Sequence, residues 1–275
     1  MFFSDIVLAR RLEGGEAESA RECAEAMVRL WPASDGAVMA VGSGWAAFAG
    51  ATSPLSHAVG LGMNEPMTVQ EIERVEEFYR SRGAAATIDL CPLADPSLCG
   101  ILAARGYHVA EFNNILVRRL DEGEPSPETE CGVEVRETAE SDATVWTDTL
   151  ARGFFEGNEP GTEELEVGQI LFRMRSGVCY LARVDGLPSG GGALAVRDRL
   201  AMLYADATHP FFRRRGVQVA LIAARLRSAV ERGCDLATAG TLPGTVSQRN
   251  YERLGFRVAY TRAVMVREWQ QSHAG

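Results

Sequence analysis

Histidine is scarce in this chain, four in 275 residues, and His57, His108, His209 and His273 are spread without metal-ligand spacing. They read as structural or solvated residues. Cysteine is little commoner. Cys23, Cys91, Cys99, Cys131, Cys179 and Cys234 form no CxxC pair, which argues against a zinc or dithiol framework. They are expected as small buried side chains in a reducing compartment. No apolar run approaches the ~20 residues of a membrane span. Residues 1–15 interleave Asp5, Arg10, Arg11 and Glu13 with apolar positions, unlike a secretory leader. Basic charge is also short, with 28 Lys and Arg against 37 Asp and Glu, and there is no basic stripe. That argues against a nucleic-acid footprint. The expectation is a cytoplasmic protein with neither nucleic acid nor membrane as a partner.

The chain is long enough for two ordinary domains, and at 46% hydrophobic each half can bury a core. Residues 121–131, acidic and Pro-containing, read as a linker between a 1–120 domain and a 132–275 domain. The halves share an ending. Gly106-Tyr-His-Val-Ala aligns without gaps with Gly255-Phe-Arg-Val-Ala, and each runs on to an apolar triplet and an arginine, Arg118 or Arg267. Upstream, Arg82-Gly83 matches Arg232-Gly233 as a helix stop. Such a long period points to a duplicated domain.

In the second half, the periodicity predicts helices over 138–155 and 164–175, and strands over 178–184, 191–196 and 200–208. Asp185-Gly186 marks a hairpin turn, and Gly190-Gly-Gly192 reads as part of a long glycine-rich connection. A helix follows with Val217, Leu221 and Ala224 on one face, stopping near Gly233. Then come a strand over 236–242, a short helix opened by a Thr245…Gln248 capping box, and two strands over 256–260 and 263–267. This is a mixed α/β sheet.

The informative segment joins strand 200–208 to the next helix. Arg213, Arg214 and Arg215 precede Gly216 at the helix start. Free N–H groups and the positive end of the helix dipole suit an anion there, whereas bare cations would oppose the dipole. Gly216 lets a backbone approach phosphate closely, and the arginines add charge-assisted bonds.

Arg213-Arg-Arg-Gly216-Val-Gln218 resembles the [Gln/Arg]-x-x-Gly-x-[Gly/Ala] pyrophosphate loop of the GNAT acyltransferases, with Gln218 departing from the small third position. Tyr251-Glu-Arg-Leu-Gly-Phe256 stands at the matching distance, and the likeness covers residues 133–267. The resemblance implies two tandem GNAT-like domains of α/β class, each a mixed, mostly antiparallel sheet flanked by helices. It implies acetyl-CoA as cosubstrate and no metal. Backbone groups near Ala207 and Thr208 would meet the pantetheine arm. The amides of Arg213, Arg214, Arg215, Gly216, Val217 and Gln218 would cradle the diphosphate. Asn250 would touch the coenzyme and Tyr251 would protonate the leaving thiolate. The partner would be a small-molecule or peptide amine.

Other readings stay open. Tyr251 also fits as a core residue of a short helix, and Asn250 as a surface one. A base for the amine is sought among Asp206, Glu156 and Glu159, and an acceptor pocket in the acidic segment 153–166. A non-catalytic acyl-CoA sensor, or a generic phosphate-binding domain, remains an alternative to the enzyme. In the first half the equivalent loop, Gly62 to Thr68, lacks the arginine and pocket glycine. Glu65 would face a diphosphate, and Leu102 replaces Tyr251, so that half reads as degenerate.

Overall fold

The computed structural model describes residues 4–121, 132–154 and 159–269. Its contacts divide the chain into one unit of Met1–Asn113 with Tyr260–Gly275 and another of Asn114–Ala259. This division does not follow residues 121–131, which from 122 onward lie outside the described part.

The first unit opens with helix α1 (Ile6–Leu30), capped by the Asp5 carboxylate on the Leu8 amide. Its alanine-rich stripe, Ala17, Ala20 and Ala24, lets it lie close against Ala47 and Val59 of the sheet. Then follow strands β1 (Ala37–Val41), β2 (Gly44–Phe48) and β3 (Ala58–Val59), helix α2 (Val69–Arg80), strand β4 (Ala86–Leu90) and helix α3 (Pro96–Ala104). Strand β5 (His108–Arg119) leaves this unit after residue 113.

The second unit holds β6 (Val133–Glu137), helices α4 (Ala143–Phe154) and α5 (Thr162–Phe172), and the meander β7 (Gly177–Val184), β8 (Leu187–Arg197), β9 (Leu200–Thr208). Helix α6 (Val217–Glu231), strand β10 (Leu236–Thr241), helix α7 (Val246–Arg253) and strand β11 (Arg257–Arg267) complete the chain. Leu194, Leu203, Leu221, Leu226 and Phe256 are buried together between sheet and helices.

Each unit repeats one topology. β1, β2, β3 and β4 pair antiparallel, antiparallel, then parallel, and so do β7, β8, β9 and β10. A helix crosses between the two parallel strands in both, because parallel neighbours cannot be joined by a tight turn. The helix stops repeat in detail. Tyr107 N bonds Leu102 O and Phe256 N bonds Tyr251 O, both at 3.1 Å, across Gly106 and Gly255 in left-handed backbone. The closing strands, however, are exchanged. Residues 114–119 of β5 pair antiparallel with β10, while residues 263–267 of β11 pair antiparallel with β4.

Two sequence expectations are corrected. The predicted strands 256–260 and 263–267 are one continuous strand, β11. Gly190, Gly191 and Gly192 lie inside β8, not in a connection. The β7–β8 turn is only Asp185-Gly186, both at positive φ as a tight two-residue hairpin demands.

Candidate functional site

Three glycines and one bulge build the site. A Cβ on Gly190 would lie 2.6 Å from Val217 of α6, one on Gly191 3.2 Å from Trp146 of α4, and one on Gly192 2.9 Å from Arg225 of α6. The glycines therefore let helices on both faces of β8 come close, which is a packing reason and not a turn. Opposite Gly192, β9 carries an extra residue. Gly191 pairs with Ala207 and Ala193 with Tyr204, so Ala205 and Asp206 together face Gly192. Ala205 sits at φ +57°, the conformation of a bulge. Parallel pairing of β9 with β10 covers residues 200–203 only, so β9 runs from Tyr204 to Thr208 without a β10 partner. That stretch holds Ala207 and Thr208. Gly153 at the end of α4 lies over it, 2.7 Å from Ala207 Cβ if it bore its own Cβ.

Beyond β9, Pro210–Phe212 form a 3₁₀ turn and the arginine loop begins. Arg213, Arg214 and Arg215 are exposed, Arg214 is at φ +64°, and Gly216 is the N-cap of α6 at φ +73°. No side chain caps that helix start. The first-turn amides of Val217 and Gln218 therefore have no intrahelical partner. Arg215 reaches Asp185 at 3.1 Å and lies over the Phe212 ring. The Val217 side chain is in the core. Gln218, the departure from the small residue, turns sideways: Nε2 donates to Ser247 Oγ and Oε1 accepts from Asn250 Nδ2, both at 2.8 Å. Its side chain thus ties α6 to α7, and Asn250 is engaged with it.

At α7, Thr245 Oγ1 caps the Gln248 amide at 3.2 Å, but the reciprocal arm differs from a capping box because Gln248 Oε1 accepts from Gly244 N. Tyr251 is buried, edge-on to Phe256, and its hydroxyl donates to Asp206 Oδ2. Asp206 Oδ1 is ion-paired with Arg225, whose side chain is completely buried. The Arg225 guanidinium also donates to Leu221 O at 3.0 Å, Ala193 O at 3.1 Å and Tyr204 O at 3.2 Å. Burial, then the Asp206 charge, holds the Tyr251 phenol well above its ordinary pKa.

Arg225 was missed from sequence, although it signals itself. Val217, Leu221 and Arg225 follow at steps of four, so a cation stands on the buried row of α6. Of the bases considered, Asp206 has both oxygens taken by Arg225 and Tyr251. Glu159 is exposed and Glu156 lies outside the described residues.

The equivalent helix start in the first unit is closed. Thr68 Oγ1 caps the Glu71 amide, and the Glu71 carboxylate accepts from Thr68 N at 2.8 Å and from its hydroxyl. Hydrogen bonds from the Thr68 amide and hydroxyl hold the Glu71 pKa below its usual range. The carboxylate over these amides is thus Glu71; Glu65 is exposed. Leu102 is buried where the repeat aligns it with Tyr251.

A family model described as the acetyltransferase (GNAT) family matches residues 144–256, the span holding bulge, loop and Tyr251. The chain carries a GNAT domain. Among solved structures, a GCN5-related N-acetyltransferase from Kribbella flavida is 20% identical, with 91% of this chain and 96% of that one covered at a TM-score of 0.63. Another from Sphaerobacter thermophilus is 17% identical over 77% and 71%, TM-score 0.58. A tandem GNAT protein from the clavulanic acid biosynthesis pathway is 14% identical over 92% and 95%, TM-score 0.56. These likenesses fix the fold, a tandem GNAT architecture. No curated protein matches the sequence. No helix among the described residues is long and apolar enough to cross a membrane.

Proposed function

We propose that the GNAT domain is an acyl-CoA-dependent N-acyltransferase, moving an acetyl or other short acyl group from acetyl-CoA to a small-molecule or peptide amine by direct attack. One observation carries the reading: α6 begins at a left-handed glycine with no side-chain cap, beside the length of β9 that β10 leaves unpaired. The bare first-turn amides and three exposed arginines suit a diphosphate, and the open edge of β9 at Ala207 and Thr208 suits an amide-bearing arm. The coenzyme supplies an acyl group already activated as a thioester. Open N–H groups of the β9 edge would stabilise the oxyanion. The Tyr251 hydroxyl, at the bulge, would give its proton to the departing sulfur. Asn250 would hold Gln218 clear of the loop.

Calorimetry with acetyl-CoA tests the site. Gly216→Val, which forces a β-branched residue to φ +73° and crowds the amides, should weaken binding by more than about tenfold. Glu65→Gln should change nothing. Equal affinity for Gly216→Val and wild type would falsify the assignment. Release of CoA with a panel of amines, aminoglycosides, amino acids and peptide N-termini then identifies the acceptor.

The rival reading, an acyl-CoA sensor without transfer, would bind acetyl-CoA at the same loop. Tyr251→Phe separates the two. An enzyme should lose about 10²–10⁴ in turnover with coenzyme affinity kept, whereas a sensor shows no acceptor-dependent CoA release even as wild type.

A further inference from the structure

We infer that Asp206 and Arg225 form a positioning pair for Tyr251, holding its phenol oxygen in place and keeping it protonated until the proton is needed. The inference rests on the reading of Tyr251 as proton donor.

Three features with no shared packing purpose converge on this pair. Gly192 lacks a side chain where Arg225 passes. The β9 bulge, with Ala205 in a conformation an alanine resists, turns Asp206 toward α6. Arg225 replaces an apolar residue on the buried row of α6 and is held by three carbonyls and one carboxylate. Burying a tyrosine hydroxyl requires none of this. In the first unit, Tyr79 is equally buried and donates to the Ala47 carbonyl at 3.1 Å. Trp146 likewise uses the Tyr180 carbonyl. A buried ion pair is commonly no more stabilising than well-packed apolar side chains, so stability alone does not account for using one here.

The pair has two distinct effects on the phenol. The Asp206 carboxylate accepts the hydroxyl proton and, by its charge, disfavours phenolate; this holds the phenol oxygen in place and keeps the acid loaded, and the O–H turns from Asp206 to the departing sulfur before the proton is given up. The charge of the Arg225 guanidinium acts the other way and favours phenolate. When the O–H bond breaks and an S–H bond forms at the departing thiolate, the oxygen is left negative beside this guanidinium. The phenolate regains a proton from the one that the attacking nitrogen sheds on forming the amide, so the exchange balances.

Asp206→Asn keeps an acceptor near the phenol but removes the charge. The expected result is a fall in kcat of about tenfold to a hundredfold, with the KM for acetyl-CoA little changed and the alkaline limb of kcat moved to lower pH. Without any coenzyme, NMR of Cζ-labelled tyrosine, assigned by the missing Tyr251→Phe signal, should show the phenol ionising at lower pH than in wild type. If Asp206→Asn does not fold, the double variant Asp206→Asn with Arg225→Gln leaves neither charge uncompensated; kcat should fall likewise, with a smaller shift of the alkaline limb because the opposing Arg225 charge is lost as well. Wild-type kcat, or a loss with no change in the pH limb and in the apo titration, overturns the inference. The two readings fail separately. Wild-type turnover in Tyr251→Phe removes Tyr251 as the acid. An impaired Tyr251→Phe beside an unimpaired Asp206→Asn removes only the positioning pair.

Discussion

Arg225 occupies the space that a side chain on Gly192 would need: the guanidinium carbon stands 2.9 Å from the position of a Cβ there. The arginine cannot swing aside, because its nitrogens are bonded to Leu221, Ala193, Tyr204 and Asp206. Gly192→Ala should therefore destabilise the domain by about 1–3 kcal/mol, the usual cost of overpacking. Urea unfolding measures it. An alanine variant as stable as wild type would mean that Arg225 yields easily.

Gln218 has its side chain turned to Ser247 and Asn250, away from the amides of the loop. Gln218→Ala should lower stability by about 1 kcal/mol through the two lost hydrogen bonds. Affinity for acetyl-CoA should stay as in wild type. A large drop in affinity, read by calorimetry, would show that the glutamine side chain itself holds the coenzyme.

The exchanged closing strands predict how the chain can be cut. A fragment of residues 132–275 lacks residues 114–119, leaving one edge of β10 bare and the core without Leu116. It should aggregate, as an unpaired apolar edge does. A fragment of residues 114–259 keeps its own closing strand and should fold. Circular dichroism and size-exclusion chromatography compare them, and a well-folded monomer from 132–275 would contradict the exchange.

In the first unit, His57 Nδ1 meets Asp89 Oδ2 at 3.1 Å, with Arg262 at 2.9 Å from the same oxygen and Glu13 on the far side of Arg262. Burial opposes the imidazolium, but the charge and hydrogen bond of Asp89 outweigh it and raise the His57 pKa above the ordinary 6.5. A raised basic group stabilises fully below its unfolded pKa and loses that contribution as pH rises through its folded pKa. Thermal melts should thus show Tm declining through the region just above pH 6.5, and His57→Gln should flatten that limb. An unchanged slope in the variant assigns the decline to another group.

Much of this architecture is written in local patterns. The apolar spacing of Val217 and Leu221, the Asp185-Gly186 turn, and the paired stops at Gly83 and Gly233 each act within a few residues, so β9 and α6 fall where expected. The start of α6 is legible for the same reason, since Gly216 signals its own left-handed backbone. Other features depend on distant neighbours. Gly190 to Gly192 look like a turn until Val217, Trp146 and Arg225 are placed against them. Ala205 gives no local hint of a positive φ, because the bulge follows from how β8 registers with β9. The exchange of β5 and β11 escapes the sequence altogether: both strands carry the same pattern, so nothing local says which sheet each one closes.

That exchange reverses the order in which the protein can be completed during its synthesis. Residues 114–259 contain every strand of their own unit, so that unit can close while the ribosome is still extending the chain. The first unit, although translated earliest, must wait with β4 unpartnered on one side until residues 263–267 emerge. The half made first is finished last, and a chain cut short between residues 259 and 263 has a whole second unit and an open first one.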